Sequence, residues 1–272
     1  MDYIKLIPKL IARDDPHSIS DAFDLCRELE TDGAVKVEGT GKRDYGTTVY
    51  DDDNFTRAHE FNREIRAAAN RMVRDGVLPD EMLDLYYKTH LFDAPHFFDS
   101  FCIYIEKDRA PDKQFYLPRR KQLKVIADSL QDLEESKIEL LGISCPPGVG
   151  KSTIAEFFLA WTCGRNPFLP NLIGSHNNSF LAGMYGEMLR IMDLQGEYRW
   201  GDVFPGLSVI ATNAKDMMIG VGYDKTDDMR FKTLEFSSIG SGNAGKVRAM
   251  NLLYADDLID GIETAMSRDR LD

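Results

Sequence analysis

The chain has 272 residues, 43% apolar and 29% charged, the balance of a globular protein with a sizeable core, which excludes disordered and fibrous classes. Its formal net charge of −12 excludes a surface coated for nonspecific nucleic-acid binding, so contact with a polyanion would need a local basic patch. The first residues, MDYIKLIPKL, carry no secretory pattern, and Cys26, Cys102, Cys145 and Cys163 form no CxxC pair, so reduced thiols in a cytosolic protein are expected.

The first hundred residues read mainly as helix, and a helical N-terminal segment is expected over 1–97. DPHSISDAFDLCRELETDG places Ile19, Phe23 and Cys26 on one face, with Ser18 or Ser20 as N-cap and Gly33 beyond the end. A second helix is expected over 55–74, closing at Gly76, and a third from Pro79 with Met82, Leu83 and Tyr86. The turn-rich stretch between the first two is a candidate flexible loop. Its DDDN lacks the alternating ligands, central Gly and closing Glu of a calcium loop and reads as an acidic turn capping the next helix.

From Tyr116 the pattern alternates between helix and strand. Leu123, Ile126, Leu130 and Leu133 form a helical stripe, and IELLGIS at 138–144 reads as a buried strand. A helix is expected from Lys151 to Cys163, burying Ile154, Phe157, Phe158 and Trp161 and stopping at Gly164. Strands are expected at 172–175, 207–211, in DMMIGVGY, in FKTLEFSSIG and in MNLLYA, with a helix over 179–192. This alternation predicts an α/β fold with a mainly parallel sheet.

Between the expected strand and the helix at Lys151 lies SCPPGVGKST, whose Gly150-Lys151-Ser152 fits a phosphate-binding loop, although Cys145 stands at its usual first glycine. Pro146 and Pro147 lack amide protons and stiffen the approach; Gly148, Val149, Gly150, Lys151 and the residues after it, Ser152 and Thr153, would supply the amide cradle. Lys151 would reach the β- and γ-phosphate oxygens, and the Ser152 hydroxyl would ligate Mg2+. The bland alternative is a turn before an ordinary helix.

NLLYADD sets Asp256 and Asp257 after an apolar strand, a Walker B pattern in which Asp256 holds magnesium and Asp257 orients or deprotonates the attacking water. The same two residues would otherwise cap the next helix. In FYLPRRKQL, Tyr116 is a candidate to stack on adenine and Gln122 to bond a base edge, while Arg119 and Arg120 are candidates for a phosphate or a neighbouring subunit; a solvated basic helix start is the rival reading. GSGNAGKVRAM offers Lys246 and Arg248 as a cation reaching a γ-phosphate across a subunit interface, against a plain surface hairpin.

Taken in order, FDSFCIYIEKDRAPDKQFYLPRRKQL, ISCPPGVGKST, GSHNNSFLAGMYGEMLRIM, YRWGDVFP and GKVRAMNLLYADDLIDGIETAMSRDRL resemble the ATPase region of tailed-phage terminase large subunits, the motors that pump DNA into procapsids. The resemblance implies a P-loop ATPase core of the additional-strand type over 98–272, with ATP and Mg2+ as cofactors. It also implies double-stranded DNA, a portal and a small terminase subunit as partners, a pentameric homo-oligomeric ring, and action in the cytoplasm of an infected bacterium. The family's downstream nuclease has no counterpart here, and the chain ends 15 residues after Asp257, so a fragment of a longer motor is expected.

Two other readings compete: a P-loop phosphotransferase, which would carry an Arg-rich lid, and a non-catalytic nucleotide-binding or assembly module, favoured by Asp rather than Glu at 257. A GTPase is disfavoured because NAKD at 213–216 has alanine where guanine recognition uses lysine.

Overall fold

A computed structural model describes residues 2–37, 47–238 and 249–256. The chain divides into two compact units, Met1–Tyr104 and Ile105–Asp272.

The first unit contains helices α1 (Tyr3–Ile11), α2 (Pro16–Thr31), α3 (Asp52–Asp75), α4 (Pro79–Asp93) and α5 (Phe98–Tyr104). Strands β1 (Val35–Val37) and β2 (Thr47–Val49) pair antiparallel between α2 and α3; the middle of the expected loop, 38–46, lies outside the described residues. Ile7, Ile19, Phe23, Cys26, Ile65 and Met72 build a common core from α1, α2 and α3. The cap of α2 is Asp15, not Ser18 or Ser20: its carboxylate accepts the Ser18 amide at 3.0 Å, and Pro16 behind it is preset for a first helical turn. Asp51 caps α3 by accepting the Asn54 amide at 3.0 Å, as the acidic turn implied. Leu83 is exposed, and its helix buries the apolar Met82 and Leu85 together with the polar Thr89, His90 and Asp93.

The second unit contains α6 (Tyr116–Glu134), α7 (Lys151–Arg165), β3 (Asn171–Ser175), α8 (Asn178–Ile191), α9 (Trp200–Val203), β4 (Ser208–Asn213), β5 (Met218–Gly222), β6 (Leu234–Ser238) and β7 (Leu253–Ala255). The strands form one sheet in the order β4-β5-β6-β3-β7. Strands β6, β3 and β7 are parallel; β4 pairs antiparallel with β5, and β5 antiparallel with β6. The sheet is therefore mixed, not mainly parallel as expected. The reason is connection length: parallel neighbours need a long crossover, whereas the Asn213–Asp216 turn joins β4 to β5 directly. In that turn Asn213 Oδ1 accepts the Lys215 and Asp216 amides at 3.1 Å, so NAKD is hairpin chemistry.

Two further expectations fail. The 138–144 run is not a strand, and Leu140 within it is 89% exposed. An apolar run becomes a strand only by pairing, and no described strand pairs with it. Gly164 does not stop α7, which continues to Arg165. A Cβ at Gly164 would lie 2.2 Å from the Phe204 ring, so the glycine permits close packing.

Helix α7 buries Ile154, Phe157, Phe158 and Trp161 as its stripe implied. Ile173, Ile219, Leu234 and Phe236 of the sheet and Leu181, Met184 and Met188 of α8 are buried as well. The Trp200 indole donates to the Ala160 carbonyl at 2.8 Å, satisfying a buried N–H. Behind β3, the Asn171 side-chain amide donates to Thr233 O and its carbonyl accepts from Asn251, both at 2.9 Å, fixing β3 between its neighbours.

Candidate functional site

Parallel strands place their carboxyl ends along one edge of a sheet, and α/β proteins bind ligands outside that edge. Here β3 ends at Ser175 and β7 at Ala255, with Ile173 opposite Tyr254. The Asp256 amide donates to Gly174 O at 3.0 Å, which carries the pairing one residue past the strand and holds Asp256 at the edge. Helix α7 starts beside it. Lys151, Ser152, Ser175, Asn177, Phe180 and Asp256 together line a cleft of about 360 Å³, within the usual range for ligand sites.

Both oxygens of Asp256 are engaged. Oδ1 accepts from Lys151 Nζ at 2.7 Å and Oδ2 from the Tyr254 hydroxyl at 3.0 Å. Burial first, then the Asp256 charge and this hydrogen bond, push the Tyr254 phenol upward, so it stays a donor. One turn beyond Ser152 on the same helix, Glu156 is raised from 4.5 to about 8 by burial and by the charge of Glu187. Glu156 therefore holds its proton at neutral pH.

The loop before α7 has the conformation its glycines imply. Gly148 has φ +81° and Gly150 φ +100°, a region disfavoured for side-chain-bearing residues. A Cβ at Gly150 would lie 2.3 Å from the Phe115 ring. Gly150 is also the N-cap of α7 and supplies no capping side chain. Cys145, Val149, Ser152 and Thr153 are half-buried, while Pro146, Pro147 and Gly148 are exposed.

The FYLPRRKQL segment reaches the loop through Phe115, not through Tyr116. Tyr116 is fully buried, so its ring has no face open to a base, and Gln122 is exposed. Phe115 packs on Gly150 and meets Phe157 edge-on at 5.7 Å. Arg119 lies over the Phe115 ring at 5.3 Å and donates to the Phe115 carbonyl at 3.2 Å. Phe115 is held by Glu106, a buried carboxylate that accepts the Phe115 amide at 2.9 Å and the Tyr116 amide at 2.8 Å. A negative charge at the N-terminus of α6 is favourable, and Arg109 at 2.7 Å balances it.

Of the residues marked in the sequence, the structure brings Lys151, Ser152 and Asp256 together. Asp257, Lys246 and Arg248 lie outside the described residues. Ser175, Asn177, Phe180, Tyr254 and Glu156 were not singled out by sequence; the position of GSHNNS at the end of an apolar strand is the signal that could have found the first two. Asn177 caps α8 by accepting the Ser179 and Phe180 amides at 2.9 and 3.1 Å, and its own amide donates to Ser175 Oγ at 3.2 Å.

The cleft thus combines one ammonium, one carboxylate and hydroxyl groups at a helix N-terminus. Ser152 and Asp256 offer only oxygen donors, the set that a magnesium ion takes. No helix among the described residues is long and apolar enough to cross a membrane. No family model, curated protein or solved structure matches the chain.

Proposed function

We propose that this chain binds Mg-ATP at the Lys151–Asp256 cleft and is the ATPase region of a viral DNA-packaging motor of the terminase large-subunit type. The observation that carries the nucleotide reading is the meeting of Lys151 and Asp256 at 2.7 Å in a cleft that Ser152 also lines. Lysine after a glycine turn, hydroxyl next to it and carboxylate at a strand end are the three parts a P-loop nucleotide site needs. The assignment to packaging motors, and the additional-strand P-loop fold with it, rests on the ordered segments of the sequence.

In this reading Lys151 leaves Asp256 for the β- and γ-phosphates, and the Gly148–Gly150 turn brings backbone N–H groups to the same oxygens. Asp256 and Ser152 would hold magnesium, which would supply charge neutralisation at the phosphates. Tyr254 keeps the Asp256 carboxylate oriented through Oδ2. Asp257 is the residue to orient the attacking water, and Arg248 or Lys246 to act from a neighbouring subunit of the ring. Double-stranded DNA, portal and small subunit are the partners that this function requires.

The test is ATP binding and turnover by the chain with magnesium. Binding that Lys151→Ala abolishes upholds the nucleotide site; equal binding by wild type and Lys151→Ala overturns it. Turnover that rises with DNA and subunit assembly upholds the motor reading, and metabolite phosphorylation would replace it with a phosphotransferase.

A further inference from the structure

We propose that the first unit holds a zinc-class divalent transition metal between Glu30, His59 and His96. The three residues come from α2, from α3 and from the connection between α4 and α5. Their ligand atoms all lie within 4.8 Å of one another. Glu30 Oε1 is 3.2 Å from His59 Nε2 and 3.7 Å from His96 Nε2. Zinc bonds of about 2.0–2.1 Å set tetrahedral ligand atoms about 3.3 Å apart, so small side-chain shifts close this triangle on an ion.

The surroundings of His59 supply a second, independent feature. A metal-ligating histidine commonly gives its other ring N–H to a carboxylate, which fixes the ring and its tautomer. His59 Nδ1 sits 2.6 Å from Asp93 Oδ1, which leaves Nε2 for the side facing Glu30. Asp93 is itself held in place: Asn62 donates to Oδ1 at 2.8 Å and Arg66 donates to Oδ2. The His59 ring is 1% exposed and packed between Phe55 and Phe92 at 4.3 and 4.7 Å.

His96 completes the set from the solvent side. Its side chain is 25% exposed against 12% for Glu30, and Tyr50 and Phe55 meet its ring edge-on. Two imidazoles and one carboxylate suit zinc, and the exposed side at His96 gives a fourth ligand, water, a way in. Bound metal would tie the end of α2, the start of α3 and the turn after α4 to one point. This inference does not depend on nucleotide binding in the second unit.

The test uses the full chain stripped with chelator and titrated with Zn2+, and with Co2+ as a spectroscopic reporter. One metal per chain, a visible Co2+ spectrum of tetrahedral N/O type and a zinc-dependent rise in melting temperature are expected. His96→Ala and Glu30→Gln should each weaken binding by roughly 100-fold or more while helical circular dichroism is kept; Glu30→Gln preserves side-chain size, so its loss of metal is not a loss of fold. Asp256→Asn should leave the stoichiometry at one. Absence of stoichiometric zinc, its persistence in both variants, or its loss in Asp256→Asn would each overturn the proposal.

Discussion

Lys151 and Asp256 stand 105 residues apart in sequence, and their side chains meet at 2.7 Å at the carboxyl edge of the sheet. The two charges neutralise each other, so the proposed nucleotide binding would exchange the carboxylate partner of Lys151 for phosphate. Lys151→Ala is expected to abolish ATP binding by calorimetry. If the proposed site is right, Asp256→Asn should keep nucleotide binding and lose its dependence on magnesium, because the variant removes the carboxylate proposed to hold the metal as well as the ion pair with Lys151.

Gly150→Ala tests the turn. The new Cβ would carry φ +100° and push into Phe115 at 2.3 Å, so backbone strain and a displaced ring act together. A loss of about 1–3 kcal/mol in denaturant unfolding is expected, with weakened ATP binding. Phe115→Ala in the same background should recover part of the stability by removing the clash.

Glu106→Gln tests the support beneath Phe115. The carboxylate accepts two backbone amides and Arg109 while 2% exposed, and the amide side chain loses both the charge and one acceptor oxygen. Chemical denaturation should register about 1.5–3 kcal/mol of destabilisation, the range for hydrogen bonds to charged groups.

Glu156 gives a pH dependence with a definite sign. Its carboxyl is raised from 4.5 to about 8 in the folded chain, so the folded state holds a proton that the unfolded state releases. The stability this group contributes is complete below about pH 4.5 and is lost as pH rises through about 8. Glu156→Gln, which stays neutral, should flatten that slope: denaturation midpoints of the two proteins should separate in favour of the variant as pH rises from about 4.5 to about 8, and the gap should stay constant above that.

Much of the second unit was legible from local pattern. The start of α7 at Lys151, its buried Ile154, Phe157, Phe158 and Trp161, and the strand before Asp256 all follow from periodicity and glycine placement. Tyr116 illustrates the limit. Neighbouring residues on a helix point in different directions, and only the fixing of α6 by Glu106 decided that Tyr116 is inside and Phe115 rests on Gly150. IELLGIS illustrates another, since a strand needs a partner whose position no local pattern contains.

What the sequence determined by itself is the set of short-range facts: helices with their faces, capping at Asp51, the glycine turn before α7, and the lysine and hydroxyl that follow it. The tertiary structure decided the long-range ones. It turned two expected parallel strands into an antiparallel hairpin, added Ser175, Asn177 and Phe180 to the cleft, and gathered Glu30, His59 and His96 from three segments. The physical reason is that periodicity and capping act over one or two turns of chain, whereas strand pairing and side-chain clusters depend on which distant segments fold back against each other.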